Sequence, residues 1–170
     1  MLQNFLQYTL KKKLYLSSLN QLSQTMKTTL KINHLAVFAC LILSFALGFL
    51  WYSPLLFGDS WMTMVGLSQE IVEANPPSAG AWITNIIASI VPLYVLAWLF
   101  TKLDIRSGIK GAGIGLLIVF AFDFLARMTS DMFAKAPYEL VWITGGFDMA
   151  IMTISGFVLG AWRKETTEVA

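Results

Sequence analysis

The chain has 170 residues, of which 56% are hydrophobic and 13% are charged, with a formal net charge of +2 and a mean hydropathy of +0.66. Soluble domains carry about 25% charged residues, so this composition argues against a water-soluble enzyme and indicates an integral membrane protein. The chain has one cysteine and one histidine. It therefore cannot form an internal disulfide or a metal or haem site with several thiolate or imidazole ligands, and we expect no cofactor and no metal.

The amino-terminal arm, residues 1–32, has scattered apolar positions around Lys11, Lys12 and Lys13. This pattern is typical of a weak helix that lies on the anionic inner leaflet of a membrane. The alternative is that translation starts at Met26, so that the arm reflects the choice of start site. The sequence leaves both interpretations open.

Four apolar segments follow the arm, and each is long enough to cross a hydrocarbon layer of ~30 Å at the helical rise of about 1.5 Å per residue. The predicted membrane spans cover residues 33–53, 81–100, 111–132 and 140–162. The sequence therefore predicts an all-α integral membrane four-helix bundle over residues 33–163. A short tail, residues 164–170, follows the bundle.

The basic residues predict the orientation of the bundle. Ten of the twelve Lys and Arg residues lie in the arm, in the turn between spans two and three, and in the tail. Because Lys and Arg collect in short cytoplasmic segments, we expect both termini in the cytoplasm and the chain in a cytoplasmic (inner) membrane. The longer connection between spans one and two, residues 55–77, is then an outer loop. Tyr52, Trp61 and Trp82 are expected at the outer membrane interface, as in an aromatic belt.

Three passages carry a resemblance to a known family: LGFLWYSPLLFGDSWMTMVGL at 47–67, YVLAWL at 94–99 and VLGAW at 158–162. Together they resemble the bacterial membrane family catalogued as domain of unknown function 1761, over about residues 33–163. The WYSPLLFG segment is the most specific of these patches. The resemblance implies a four-helix membrane domain. Because the family has no assigned activity, the resemblance implies no substrate.

Small residues recur at every fourth position in three of the spans, and such ridges let membrane helices approach closely. The candidate helix-packing residues are Ser44 and Gly48 in span one, Gly111 and Gly115 in span three, and Gly156 and Gly160 in span four. Since four short helices enclose little space, we also expect a homo-oligomer in the lipid bilayer.

Four polar residues inside the spans form a candidate cluster. Asp123 and Arg127 are four residues apart in span three, Asp148 lies at a similar depth in span four, and Asn85 of span two lies near the level of Arg127. The fourth-residue ridge through Gly115 also passes through Asp123, so the charges are expected on the packing face. A lone charge at mid-membrane costs about 2.5–3.5 kcal/mol, which predicts that both aspartates pair with Arg127.

Two functions remain open. The sequence favours a non-catalytic membrane scaffold or accessory subunit, whose outer loop meets a membrane partner protein. The alternative is a small-solute or ion transporter or channel, in which protonation of Asp123 or Asp148 is the coupling step. No Ser-His pair, HExxH, GxSxG or phosphate-binding glycine loop is present. We therefore expect no catalytic residues and no nucleic-acid partner.

Overall fold

The computed structural model describes the backbone of residues 2–169 and, within that range, all side chains except those of residues 2, 4, 20–28 and 167–169. Residues 1 and 170, the outer ends of the predicted arm and tail, lie outside the described residues. The elements, in chain order, are α1 (Leu2–Thr25), β1 (Met26–Lys31), α2 (His34–Trp51), α3 (Gly58–Val65), α4 (Gln69–Ala74), α5 (Ala79–Lys102), α6 (Gly108–Val119), a π-helical turn (Phe120–Phe124), α7 (Leu125–Ala134), α8 (Tyr138–Ala161) and β2 (Lys164–Val169). The chain divides into two compact units, one formed by α1, β1 and β2 and the other by Ile32–Arg163.

The first unit contains a two-stranded antiparallel sheet that the all-α prediction did not include. Strand β1 pairs with β2, so that Met26 lies opposite Val169 and Lys31 lies opposite Lys164. Both strands have a central Thr-Thr pair, and β-branched residues favour extended backbone. Each strand has only six residues and pairs with a strand at the other end of the chain. Local sequence patterns therefore give little indication of this sheet.

The second unit contains the four predicted spans. In the described part of the chain, four helices are long and apolar enough to cross a membrane: His34–Trp51, Ala79–Lys102, Gly108–Ala134 and Tyr138–Ala161. Their ends agree with the predicted spans to within three residues. The third span is a continuous rod made of α6, the π-helical turn and α7. This mostly helical unit fits a four-helix membrane bundle.

Polar side chains cap the spans where the apolar runs begin. Asn33 Oδ1 accepts hydrogen bonds from the backbone N–H of Leu35 at 3.2 Å and of Ala36 at 3.3 Å, at the start of α2. Ser78 Oγ accepts one from the N–H of Ala81 at 3.2 Å, at the start of α5. These bonds satisfy amide groups that have no partner within the first helical turn, so they stabilise the starts of the first and second spans.

The second span packs through only half of its length. Its buried residues are Leu93, Leu96, Ala97 and Phe100, which join α2 and α8 in one apolar core. All four follow Pro92, whereas residues 81–88 are exposed. Proline removes a helical hydrogen bond and commonly kinks a helix. The amino-terminal half of α5 therefore leaves a cleft beside the other spans.

The connection between spans one and two folds into two short helices, α3 and α4, within the predicted outer loop. Helix α3 ends at Gly66, which has a φ of 72°, a left-handed conformation that suits glycine. On α3, the ring of Trp61 makes an edge contact with the ring of Tyr52, with centroids 5.3 Å apart. This contact brings the loop against the end of the first span, at the mouth of the cleft.

Candidate functional site

Glycines fix how spans three and four meet. A Cβ atom at Gly111 would collide with the carbonyl oxygen of Gly156, one at Gly115 with that of Met152, and one at Gly156 with that of Gly111. At the ends of the same helices, a Cβ at Gly160 would lie 2.5 Å from the carbonyl oxygen of Ser107. The backbones of α6 and α8 therefore touch directly along the four predicted glycines, as small-residue packing in lipid requires.

The π-helical turn, Phe120–Phe124, changes which residues of the third span face α8. The buried positions are Gly111, Gly115, Val119 and then Phe124, so the spacing of four becomes a spacing of five where the turn inserts one residue. Phe124, and not Asp123, occupies the packing position against α8. The prediction that the charges lie on the packing face is therefore wrong for Asp123, because it assumed a regular α-helix.

The structure brings the three predicted charges together. Arg127 Nη2 donates a hydrogen bond of 2.7 Å to Asp148 Oδ2, and it lies 3.3 Å from both Oδ1 and Oδ2 of Asp123. The shorter contact has the geometry of a strong charge-assisted bond. Arg127 Nε is buried without a hydrogen-bond partner in the described part of the chain. One guanidinium nitrogen thus serves two carboxylates, and the cluster keeps unused donor capacity.

The charged cluster of Asp123, Arg127 and Asp148 lines a cavity and is not sealed between helices. The side chains are 42%, 35% and 30% exposed, respectively. The cavity has a volume of about 920 Å³ and is bounded by residues of all four spans and of α3. Ligand pockets in proteins have volumes of about 300–1,000 Å³, so this cavity can hold a small organic molecule against the charges.

Aromatic side chains line the same cavity and form an aromatic wall that was not predicted from the sequence. The wall comprises Phe45, Phe49, Tyr52, Trp61, Trp82 and Phe147. Three of these residues, Tyr52, Trp61 and Trp82, had been expected at the outer membrane interface. Their expected position at the outer interface was the only signal in the sequence that they lie near one another. The inward position of Tyr52 and Trp61 depends on how α3 folds back, which the sequence pattern does not contain.

The remaining predicted residues line the cavity without joining the cluster. Asn85 accepts a hydrogen bond from Ser89 Oγ through its backbone oxygen at 2.8 Å, and in the described chain no hydrogen bond links it to the charged cluster. Ser44 Oγ donates to the carbonyl oxygen of Cys40 at 2.9 Å. A Cβ atom at Gly48 would lie 3.6 Å from Phe147, an ordinary contact. Ser44 and Gly48 therefore leave space for the cavity and, unlike the other predicted packing residues, do not bring two backbones together.

Tyr52 lies one residue beyond the first span and does not add a charge to the cavity. Burial raises the pKa of its phenol above the usual value, and the negative charge of Asp148 raises it further while Arg127 opposes the shift. The phenol therefore stays neutral at physiological pH. Among the side chains that the structure describes, no group of three or more His, Cys, Asp or Glu residues is placed to hold a metal ion.

These features define a multi-pass α-helical membrane protein with a polar cluster inside an aromatic-lined cavity. The chain belongs to the family described as Protein of unknown function (DUF1761), whose model matches residues 35–160. The match covers all four spans except the first residue of the first span and the last residue of the fourth. Comparison with curated proteins and with solved structures found no match.

Proposed function

We propose that this chain is a membrane transport protein that binds a small solute in the cavity beside Asp123, Arg127 and Asp148. The observation that supports this proposal is the contact between a cavity of about 920 Å³ and a charged cluster at membrane depth. Ionisable residues inside membrane spans are costly and mark substrate or ion pathways. If the cluster only joined two helices, its side chains would be expected to be buried between those helices and not exposed to the cavity.

The second span provides the element that opens and closes the site. Its packed half follows Pro92, and Trp82 and Asn85 lie on the exposed half that borders the cavity. Because proline interrupts the helical hydrogen bonds, Pro92 acts as the hinge about which residues 81–88 move. Movement toward the third span encloses a bound solute, and movement away releases it.

The orientation follows from the basic residues and from the first unit. We propose that both termini lie in the cytoplasm, since ten of the twelve Lys and Arg residues fall on that side. We also propose that the chain resides in a bacterial cytoplasmic membrane, as the bacterial family that its sequence resembles suggests. The pairing of β1 with β2 supports a shared side for the two ends of the chain. The solute then enters from the outer side, where Trp61 and Trp82 border the cavity.

The test uses the purified full-length chain in liposomes and a panel of small solutes grouped as organic cations, organic anions, zwitterions and neutral molecules. Uptake is compared for wild type, Asp148→Asn, and Gly48→Trp, which places an indole in the cavity. Asp131→Asn is the matched control, because Asp131 lies on the same span as the cluster but outside the cavity lining.

The proposal predicts that wild type and Asp131→Asn move at least one solute class, whereas Asp148→Asn and Gly48→Trp do not, although all four proteins insert at similar levels. The transport proposal is contradicted if all four proteins take up the solutes equally. It is also contradicted if no solute class binds to the protein or is taken up. The second result favours the other candidate, a membrane scaffold. That candidate is supported by the exposed Leu55 and Leu56 in the outer connection, which offer an apolar surface to a partner.

A further inference from the structure

The charges that line the cavity do not balance. The charged residues among those bounding it are Asp123, Arg127 and Asp148, so two ionised carboxylates face one guanidinium and leave a net charge of −1. An uncompensated charge in an environment of low dielectric is costly. The cavity therefore attracts one positive charge, which a proton or a cation can supply.

The carboxylates can reach such a charge. Asp123 is 42% and Asp148 30% exposed, on the wall of the cavity. Arg127 approaches Asp148 more closely than Asp123, at 2.7 Å against 3.3 Å. The weaker contact leaves Asp123 the less neutralised carboxylate, and both acids are close enough to share one cationic group held by the cavity.

The rest of the lining selects the type of cation. Tyr52, Trp61, Trp82 and Phe147 line the cavity, and aromatic rings attract a cation that lies over their faces. A metal ion would instead require several oxygen or nitrogen ligands, and the described side chains form no group of that kind. The cavity is thus suited to an organic cation with an apolar body.

We propose that the cavity binds a monovalent lipophilic organic cation, which displaces one proton from the aspartates of the cluster. This inference rests on the proposed function and names its substrate class. Cation and proton neutralise the same charge, so they bind one at a time. Because binding of the cation excludes binding of the proton, the protein can exchange a cation for a proton across the membrane.

The titratable and charged groups that face Asp148 are few. Asp123 and Arg127 come from the third span, and Tyr52, whose phenol stays neutral, comes from the end of the first. The second span contributes the uncharged Asn85. Competition with protons therefore arises within the pair of aspartates, and cation binding must weaken as the pH falls.

The probes are tetraphenylphosphonium and tetraphenylborate, two ions of the same shape and opposite charge. Binding to the purified full-length chain in detergent is measured by equilibrium dialysis between pH 5 and pH 9, together with proton release in weak buffer. We expect the phosphonium to bind at high pH without releasing protons, to release about half a proton per bound ion at the pH of half-protonation, and to approach one proton per bound ion below it. At lower pH its Kd should rise about tenfold per pH unit, as linkage to one proton requires.

Two substitutions test separately how the charge of the cavity and the space inside it contribute to binding. Asp148→Asn should weaken phosphonium binding by about tenfold or more, because one attractive charge is lost, and should abolish the proton release. Asp131→Asn, the control on the same span, should change neither. Gly48→Trp should remove binding by filling the cavity.

Equal binding of the two ions, a pH-independent Kd, or an unchanged Kd in Asp148→Asn each overturns the cation assignment. If tetraphenylborate alone binds, and Gly48→Trp removes its binding, the assignment fails while the proposed transport function stands. If neither ion binds and the wider solute panel also shows no binding, both fail.

Discussion

Replacing Gly145 with alanine drives a methyl group into the ring of Phe124, and so tests how the π-helical turn is held against α8. An ideal Cβ at Gly145 would lie 2.5 Å from Cδ2 of Phe124, whereas ordinary contact begins at 3.4 Å. The ring must therefore retreat by roughly 0.9 Å, the difference between these two distances. It has little room, because Phe124 is 2% exposed and contacts the rings of Phe120 and Trp142, with centroids 5.6 and 5.1 Å away.

Gly146→Ala is the matched control. Its new Cβ would lie 3.5 Å from the nearest atom, in Trp51, which is an ordinary contact. Both substitutions gain the same helix preference of alanine over glycine, about 1 kcal/mol, so this gain cancels when they are compared. Overpacking of a core costs about 1–3 kcal/mol. Gly145→Ala should therefore unfold with a free energy about 1–3 kcal/mol lower than Gly146→Ala, or melt roughly 3–9 °C lower at ~3 °C per kcal/mol.

The assay is thermal denaturation of both variants and of wild type in the same detergent. Phe124→Leu is then added to each variant, because the smaller side chain relieves the clash in Gly145→Ala but not in Gly146→Ala. We expect a coupling energy of about 1 kcal/mol or more between Phe124 and Gly145. Equal melting temperatures for Gly145→Ala and Gly146→Ala would show that the ring of Phe124 is not fixed over Gly145.

Three further outcomes are expected. Arg127→Leu leaves the carboxylates of Asp123 and Asp148 without Arg127 and should lower the free energy of unfolding by about 1–3 kcal/mol. This cost is smaller than the ~3–5 kcal/mol of a fully buried pair, because between 30% and 42% of each side chain in the cluster is exposed. Adding Asp148→Asn should restore part of the melting temperature, and wild-type melting of Arg127→Leu alone would show that the cluster contributes no stability. In a background without the native cysteine, a cysteine at Ser68 should react with an impermeant reagent from outside and one at Ser107 should not; the opposite pattern would reverse the orientation. A chain that starts at Met26 should still reach the membrane, because it keeps the basic residues before span one, and its presence in the soluble fraction would contradict this.

The positions of the spans are largely a local property of the sequence. A long apolar run with a polar cap such as Asn33 or Ser78 at its start can satisfy its backbone groups in lipid only as a helix. The predicted ends therefore agree with α2, α5 and α8 to within three residues. The glycine ridges of spans three and four were recognisable for a similar reason, because a spacing of four residues places small side chains on one face of a helix.

The same rule was less informative for span one. Gly48 occupies an equivalent position in its own ridge, yet a Cβ there would make only an ordinary contact with Phe147. A small residue permits a close approach but does not specify a partner. Whether a ridge becomes a backbone contact, as Gly111 and Gly156 do, or a wall of a cavity depends on where the other helices lie.

The pairing of the charges could be predicted, but their surroundings could not. The cost of a lone charge and the similar depth of Asp123 and Asp148 predict that both meet Arg127, and the structure brings these three together. The exposure of the cluster depends on two features of tertiary structure. One is the extra residue of the π-helical turn, which gives the packing position to Phe124. The other is α5, which packs only after Pro92.

Hydropathy, length and charge along each segment thus predict where the four membrane spans lie and which residues are too costly to remain unpaired, because these properties belong to a single helix. The opening of the cluster into a cavity lined by Trp61 and Trp82 could be seen only in the packed bundle. A cavity is the space that packing leaves between several helices. That space depends on shifts of about one residue in helix register, which leave the apolar pattern of each span unchanged.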